Sequence, residues 1–155
     1  EVIDLGCGTG MFLDFVTPKV YLGIDDNPFY IKYARKKKRK NTISFFCQNI
    51  VSFSTGKKFE TVLLVSVAHH LTDKSLKKTL SNLKREMVKR VIVVDATPKG
   101  FYKKVFIYLD SFLGGGKYFR SLKNISLLVE DHFGVKEKGI IEGKFFDYPY
   151  VVGER

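Results

Sequence analysis

The hydrophobic positions of the chain form short continuous runs separated by stretches with helical spacing. Five runs are rich in β-branched residues, have the length of strands and show little polar alternation, which is typical of strands buried on both faces of a sheet. They are Val2–Leu5, residues 20–24, Ile43–Cys47, Thr61–Val65 and Arg90–Val94. Because helical stretches lie between these runs, the pattern predicts a doubly wound α/β fold with a parallel sheet.

The stretches between the strands predict the helices. Residues 11–16 form a short predicted helix, and Asn27 before Pro28 predicts the N-cap and first residue of a helix that runs to about residue 40. Asp73 is the predicted cap of the next helix, whose apolar face repeats at intervals of four, three and four residues at Leu76, Leu80, Leu83 and Met87.

The last third of the chain has a different pattern. Residues 101–113 are apolar over a very wide arc, which predicts a helix that is deeply buried or covers a site. Ser121 is the predicted cap of a helix to about Phe133, and residues 135–141 and 145–152 predict a terminal hairpin. We therefore expect one domain over residues 1–155, with a mostly parallel seven-stranded sheet whose last strand is antiparallel.

Composition excludes several classes of protein, beginning with membrane-spanning and disulfide-rich proteins. The apolar runs of this 155-residue chain are too short for a membrane-spanning helix, which requires about 20 residues. Two cysteines cannot form a disulfide framework, so we expect a cytoplasmic protein. No cluster of His, Cys, Asp or Glu has the spacing of metal ligands, so we expect no metal. The abundance of lysine beside a single glutamine fits a thermophile.

The most informative stretch follows the first predicted strand. It reads Gly6-Cys7-Gly8-Thr9-Gly10, and glycines here let the backbone turn tightly and let a ligand approach it closely. The second predicted strand ends in Asp25 and Asp26, which places a carboxylate at the same edge of the sheet. The two features together suit an adenosine cofactor. Met11 stands where the dinucleotide fingerprint requires glycine, which disfavours NAD.

These residues resemble a known family. Residues 1–10, EVIDLGCGTG, and residues 21–28, YLGIDDNP, are similar to the first two motifs of class I S-adenosylmethionine-dependent methyltransferases. The resemblance implies that Asp25 binds the ribose and that the methionine end of S-adenosylmethionine lies on Asp4, Gly6, Cys7, Gly8, Thr9 and Gly10. It also places Asp26 and Ser66 among the cofactor-binding positions. Asn49 stands where the family usually has the aspartate that faces adenine, so we expect Asn49 and Ile50 to contact that ring.

Two adjacent histidines follow the fourth predicted strand. His69 and His70 lie at the carboxyl edge of the sheet, where the resemblance implies that substrate binds, and one of them is the candidate general base. The alternative is that the pair packs against and hydrogen-bonds the start of the next helix, and it is favoured because position at the edge is the only evidence for a catalytic role.

The net charge of +11 has two main sources. Residues 35–40 are six consecutive cations at the predicted C-terminus of a helix, where we expect them to face solvent at the far edge of the sheet; docking to nucleic acid or a membrane is the alternative. The segment after the fifth strand combines cations with aromatic residues, and it supplies the candidate substrate-binding residues Lys103, Tyr118 and Arg120.

The sequence therefore predicts a methyltransferase whose acceptor is a small molecule, with anionic and amphipathic molecules included. One alternative is an RNA methyltransferase that uses the basic surface. Another is a cofactor-binding module without catalytic activity. Because the chain begins inside its first predicted strand, the helices that usually precede this strand in the family are expected to be missing from it. The oligomeric state is left open.

Overall fold

The computed structural model describes residues 1–37, 41–100, 108 and 116–155. Five strands of its sheet match the predicted runs to within one residue. They are β1 (Val2–Leu5), β2 (Tyr21–Asp25), β3 (Ile43–Cys47), β4 (Thr61–Val65) and β5 (Arg90–Val94). All five are parallel and lie in the order β3-β2-β1-β4-β5. The carboxyl ends of β1, β2 and β4 therefore meet at one edge.

Three further strands extend the sheet beyond β5. They are the two-residue strand β6 (Thr97–Pro98), β7 (Gly134–Glu142) and β8 (Phe146–Glu154). The last strand, β8, runs antiparallel to β5 and β6 along one side and to β7 along the other. The predicted doubly wound fold with an antiparallel last strand is confirmed, and the short strand β6 is an addition that the sequence did not predict.

The three helices of the described chain are shorter than predicted. They are α1 (Pro28–Ala34), α2 (Asp73–Arg85) and α3 (Leu122–Glu130). Asn27 and Ser121 cap α1 and α3 as predicted, but the cap of α2 is Thr72 and not Asp73, because the Thr72 hydroxyl accepts the Ser75 N–H at 3.1 Å. Asp73 is instead the first residue of the helix.

The helix ends also differ from prediction. The backbone at Met87 has a φ of 62°, which the α-helix cannot include, so α2 ends at Arg85. Three 3₁₀ turns stand where longer helices or loops were expected: Met11–Asp14, Arg35–Lys37 and Ala68–His70. The helix predicted over residues 101–113 lies outside the described residues apart from Tyr108.

The two faces of the sheet are packed unequally. One face forms the larger core against the apolar side of α2, with Leu76, Leu80 and Leu83, and against Ile125 and Val129 of α3. The other face forms a smaller cluster under α1, made of Cys7, Tyr21, Ile31, Ala34, Ile43 and Phe45. The burial of α2 explains its period of four and three residues, and the small cluster fixes α1 beside the glycine stretch.

A buried polar pair lies on the α1 side of β1 and β2. The Tyr21 hydroxyl donates a hydrogen bond of 2.5 Å to Asp4 Oδ2, and both side chains are inaccessible to solvent. Burial raises the pKa of Asp4 from its usual 3.8 to about 6, with a smaller contribution from the nearby Asp25, while the Tyr21 hydrogen bond opposes the rise. The ionised carboxylate therefore costs the folded state free energy at neutral pH.

We predict that Leu80→Ala lowers the free energy of unfolding by about 2–5 kcal/mol, because Leu80 is fully buried in the larger core. The matched control is Leu127→Ala on α3, whose side chain is 51% exposed, and it changes the stability by less than about 0.5 kcal/mol. Urea unfolding of both variants measures the difference. Equal losses would show that α2 does not carry the core.

We also predict a pH dependence that belongs to Asp4. Its folded pKa is higher than its unfolded pKa, so its unfavourable contribution is absent below about pH 4 and complete above about pH 6. The stability of Asp4→Asn relative to the wild type should therefore rise by about 2 kcal/mol between pH 4 and pH 7. Urea unfolding at both pH values tests this. Parallel stability curves for the two proteins would contradict the assignment.

Candidate active site

The glycine stretch, residues 6–10, is fastened to the end of β2 by hydrogen bonds; we call it the glycine loop. The N–H groups of Gly6 and Cys7 donate to Ile24 O at 2.7 and 3.0 Å. The Gly8 N–H donates to Asp25 Oδ2 at 2.8 Å, and the Asn27 N–H donates to Asp25 Oδ1 at 2.9 Å. One carboxylate thus joins the glycine loop to the start of α1. A carboxylate has about four acceptor sites, so two remain for a ligand.

Two glycines of the loop are required for different reasons. At Gly6, a Cβ atom would lie 2.3 Å from Val67 Cγ2, so the loop lies directly against the residues that follow β4. At Gly8, the φ of 51° favours glycine, but a Cβ atom would meet nothing within 4 Å. Gly6 is therefore needed for packing, whereas Gly8 borders open space beside Asp25.

A cleft of about 570 Å³ opens at this edge of the sheet, within the size range of small-molecule sites. Six of the predicted site residues line it: Gly6, Asp25, Asp26, Asn49, Ile50 and His70. The lining also includes residues that the sequence analysis did not assign to the site: Asn27, Tyr30, Val51, Val67, Leu71 and Ser75. Tyr30 lies on the first turn of α1. The cap predicted at Asn27 indicated that this turn starts at the edge of the sheet where the cleft lies, so Tyr30 could have been predicted from it.

The other predicted cofactor-binding residues lie around the cleft without lining it. Asp4 is buried on β1, and Gly10 precedes the 3₁₀ turn Met11–Asp14. Ser66 is exposed at the end of β4 with a left-handed φ of 52°, and its N–H donates to Val94 O at 2.8 Å. Thr9 is half-buried in the glycine loop.

The two cysteines differ in exposure. Cys7 is buried, and burial raises the pKa of its thiol well above the usual range, with smaller contributions from Asp4 and Asp25. A thiol in this state is a packing group and not a nucleophile. Cys47 is exposed at the end of β3, where its Sγ lies 3.5 Å from Asp26 O.

Asn49 and Ile50 form one wall of the cleft. The Asn49 Oδ1 atom accepts the Val51 N–H at 2.9 Å, which holds the amide in place and leaves one acceptor site on the oxygen. Ile50 is buried in the larger core and presents part of its surface to the cleft. The wall therefore offers a hydrogen-bonding amide beside an apolar surface.

The two neighbouring histidines have different environments. His69 is buried, and its Nδ1 lies 2.6 Å from Asp95 Oδ1, so the ring N–H donates to the carboxylate. Its ring stacks on Phe119 with centroids 5.1 Å apart. His70 is exposed and lines the cleft. His69 is thus engaged within the protein, by Asp95 and Phe119 and not by the start of α2, whereas His70 borders the cleft.

The three candidate substrate-binding residues also differ in their environments. Lys103 lies outside the described residues, and Tyr118 is partly exposed. Arg120 is 5% exposed, and all five of its N–H donors are directed at Asp73 and three backbone carbonyls. This geometry favours a role inside the protein over the predicted contact with substrate.

The described part of the basic run makes contacts within the chain. Arg35 Nε donates to Phe45 O at 3.2 Å, and Lys37 pairs with Asp14 at 2.5 Å. Lys36 lies 5.7 Å from the ring centroid of Tyr33. Residues 38–40 lie outside the described residues.

Two features are absent from the described residues, a metal site and a membrane-spanning helix. No group of three or more His, Cys, Asp or Glu side chains among them is arranged to hold a metal ion. In the same residues, no helix has the length and apolar character that crossing a membrane requires.

Solved structures share this fold. Magnesium protoporphyrin IX methyltransferase from Synechocystis PCC 6803, with bound SAH, is 20% identical with a TM-score of 0.75 over 99% of this chain and 73% of that one. The N-methyltransferase NodS from Bradyrhizobium japonicum WM9 is 16% identical, with a TM-score of 0.75 over 99% and 85%. A structure described as a pericyclic reaction enzyme also scores 0.75, at 16% identity, over 99% and 42%. At these identities the likeness concerns the fold alone.

Sequence comparison is more specific. No curated protein sequence matches the chain significantly. The profile of the methyltransferase domain family matches residues 2–98, which is more than half of the chain and includes β1 to β5 with the glycine loop, Asp25 and both histidines. The family predicted from the glycine loop and the end of β2 is thus confirmed, and the chain belongs to the methyltransferase domain family.

Proposed function

We propose that the chain is an S-adenosylmethionine-dependent methyltransferase that binds its cofactor in the cleft and methylates a small-molecule acceptor. The observation that carries this proposal is the Asp25 carboxylate, which is held by the amides of Gly8 and Asn27 and lines the cleft. A fixed carboxylate with free acceptor sites is suited to the two adjacent hydroxyls of a ribose.

The remaining walls fit the other parts of the same cofactor. Asn49 and Ile50 offer an amide and an apolar surface for adenine. Gly8 leaves room for the methionine end, with Asp4 buried nearby on β1. When bound, S-adenosylmethionine supplies an activated methyl group on a positively charged sulfur. The chain then has to hold the acceptor in line behind that methyl group, which accounts for much of the rate enhancement available.

His70 is the residue that we assign to proton transfer. It lies on the cleft in the turn after β4, whereas the ring of His69 is committed to Asp95 and Phe119. An acceptor that must lose a proton on methylation can give it to His70. An acceptor with a free electron pair needs no base, and His70 then only borders it.

A small-molecule acceptor is supported by a neighbour of the same fold that is named for magnesium protoporphyrin IX. The partly exposed Tyr118 lies next to the turn that carries His70, because its N–H donates to His69 O at 2.9 Å. An aromatic side chain at this position suits an acceptor with an apolar surface.

We predict that Gly8→Ala weakens the binding of S-adenosylhomocysteine by roughly tenfold, equivalent to about 1.4 kcal/mol, because the added methyl group points into the space beside Asp25. Gly56→Ala is the matched control, since Gly56 has a similar φ of 61° and equally open surroundings but lies outside the glycine loop and makes no contact with Asp25.

Both substitutions should cost about 1–2 kcal/mol of stability, because each forces alanine into the left-handed region. Isothermal titration calorimetry separates binding from stability. Equal affinities for the two variants would show that the cofactor does not lie against Gly8.

We predict that Asp25→Asn weakens the binding of S-adenosylhomocysteine by roughly 10- to 100-fold, because hydrogen bonds to a charged carboxylate are lost. Asp131→Asn is the control, since Asp131 is an exposed aspartate paired with Lys77 on α2, away from the cleft. Titrations of S-adenosylmethionine, S-adenosylhomocysteine and NADH into the wild type accompany the two variants. Failure of the wild type to bind either adenosyl compound, or preference for NADH, would refute the proposed function.

A further inference from the structure

The Arg120 side chain lies behind the wall of the cleft and makes an unusually complete set of hydrogen bonds. Its Nε and Nη2 atoms donate to Asp73 Oδ1 at 2.8 and 2.7 Å. Nη1 donates to Ala68 O at 2.8 Å and to Tyr118 O at 3.0 Å, and Nη2 donates to Leu71 O at 2.6 Å. We call this set of five bonds the arginine clasp.

The clasp joins two parts of the chain that are distant in sequence, residues 68–73 and residues 118–120. Ala68 and Leu71 belong to the turn after β4, Asp73 begins α2, and Tyr118 belongs to residues 116–120, which precede α3. Backbone bonds strengthen the junction, because the N–H groups of Lys117 and Tyr118 both donate to His69 O, at 3.0 and 2.9 Å.

The same junction closes the base of the segment that follows β5. The Thr97 hydroxyl, on β6, donates to Arg120 O at 3.1 Å, so the two ends of the segment from residue 97 to residue 120 are held together. This segment, residues 97–120, includes the candidate substrate-binding residues predicted from the sequence, and we call it the acceptor segment. Its base is thus fixed to the turn after β4 through one residue.

The opposite side of that turn forms the cleft. Val67, His70 and Leu71 all line it, and Val67 also packs against the Cα of Gly6 in the glycine loop. The Arg120 guanidinium therefore binds the backbone of the same turn, residues 67–71, whose side chains border the proposed cofactor site and include the proposed base. A shift of this turn changes both sides of the site at once.

Arginine is suited to this place by its shape. Only a planar guanidinium with five donors can reach two carbonyls of one turn, a third carbonyl and a carboxylate from a single position, whereas lysine offers one compact ammonium group. The guanidinium is 5% exposed, while the side chain of its partner Asp73 is 72% exposed. The carbonyls therefore supply much of the compensation that a buried charge requires.

We propose that Arg120 is a positioning residue that fixes the turn after β4 and the base of the acceptor segment as one unit, and so sets the affinity of the cleft for its cofactor. This inference rests on the proposed function, because it assumes that the cleft binds S-adenosylmethionine. It assigns to Arg120 a role that is distinct from direct contact with substrate.

The test compares two arginines that are both paired to a carboxylate through Nε and Nη2. Arg120→Ala and Arg120→Lys alter the clasp. Arg90→Ala and Arg90→Lys are the controls, because Arg90 is the first residue of β5, binds Glu154 and does not line the cleft. Calorimetry gives the affinity for S-adenosylhomocysteine. Hydrogen exchange, read by mass spectrometry, follows residues 66–75 and 116–120.

We expect Arg120→Ala to weaken the binding of S-adenosylhomocysteine by roughly 3- to 30-fold, while the Arg90 variants bind as the wild type does. Millimolar guanidinium chloride, with sodium chloride at the same concentration as its control, should restore affinity to Arg120→Ala by filling the vacated place. A loss of affinity caused by damage elsewhere in the protein would not be repaired in this way. Exchange in residues 66–75 and 116–120 should rise together in the Arg120 variants.

Should Arg120→Ala fail to fold, Arg120→Lys takes its place, and it should fold with reduced affinity because lysine cannot span the carbonyls. A folded Arg120→Lys with wild-type affinity and wild-type exchange would overturn the inference. A wild type that binds no S-adenosylhomocysteine would instead refute the proposed function. In that case the hydrogen-exchange data still test the role of Arg120. Exchange that rises together in residues 66–75 and 116–120 of the Arg120 variants would support the role, and a rise in only one of the two segments would contradict it.

Discussion

The hydrogen bond from the Gly8 amide to the Asp25 carboxylate is the contact on which the candidate site depends. It connects the first βα turn to the end of β2, and the same carboxylate accepts the amide of Asn27, which caps α1. The glycine loop, the neighbouring strand and the first helix are therefore placed by one charged group. Asp25 also lines the cleft, so the carboxylate that organises the site is the one that a ribose would contact.

Much of the fold follows from local sequence. The five parallel strands are continuous β-branched runs, and the caps at Asn27 and Ser121 are polar side chains that bond to amides two or three residues away. Local signals of this kind can be recognised without knowledge of the fold. The same is true of the glycine loop, because the turn it makes requires glycine at a particular place in a βα unit.

What the sequence could not predict depends on contacts between distant residues. His69 and His70 are adjacent and chemically identical, and only Asp95 and Phe119 distinguish the buried one from the one on the cleft. Arg120 looks like any other cation of a basic, aromatic segment until Asp73, Ala68 and Leu71 are placed around it. The predicted end of α2 was wrong for a similar reason. The apolar spacing continues through Met87, but the backbone at Met87 adopts a left-handed φ of 62° and leaves the helix. Membership of the methyltransferase domain family identifies the class of reaction but does not identify the acceptor.

A crystal structure of this chain with S-adenosylhomocysteine tests the central claim most directly. The account predicts that the two ribose hydroxyls donate to Asp25 while its bonds to the Gly8 and Asn27 amides remain, with adenine between Asn49 and Ile50. A ligand bound elsewhere, or an Asp25 carboxylate that releases both amides and turns away from the ribose, would contradict it.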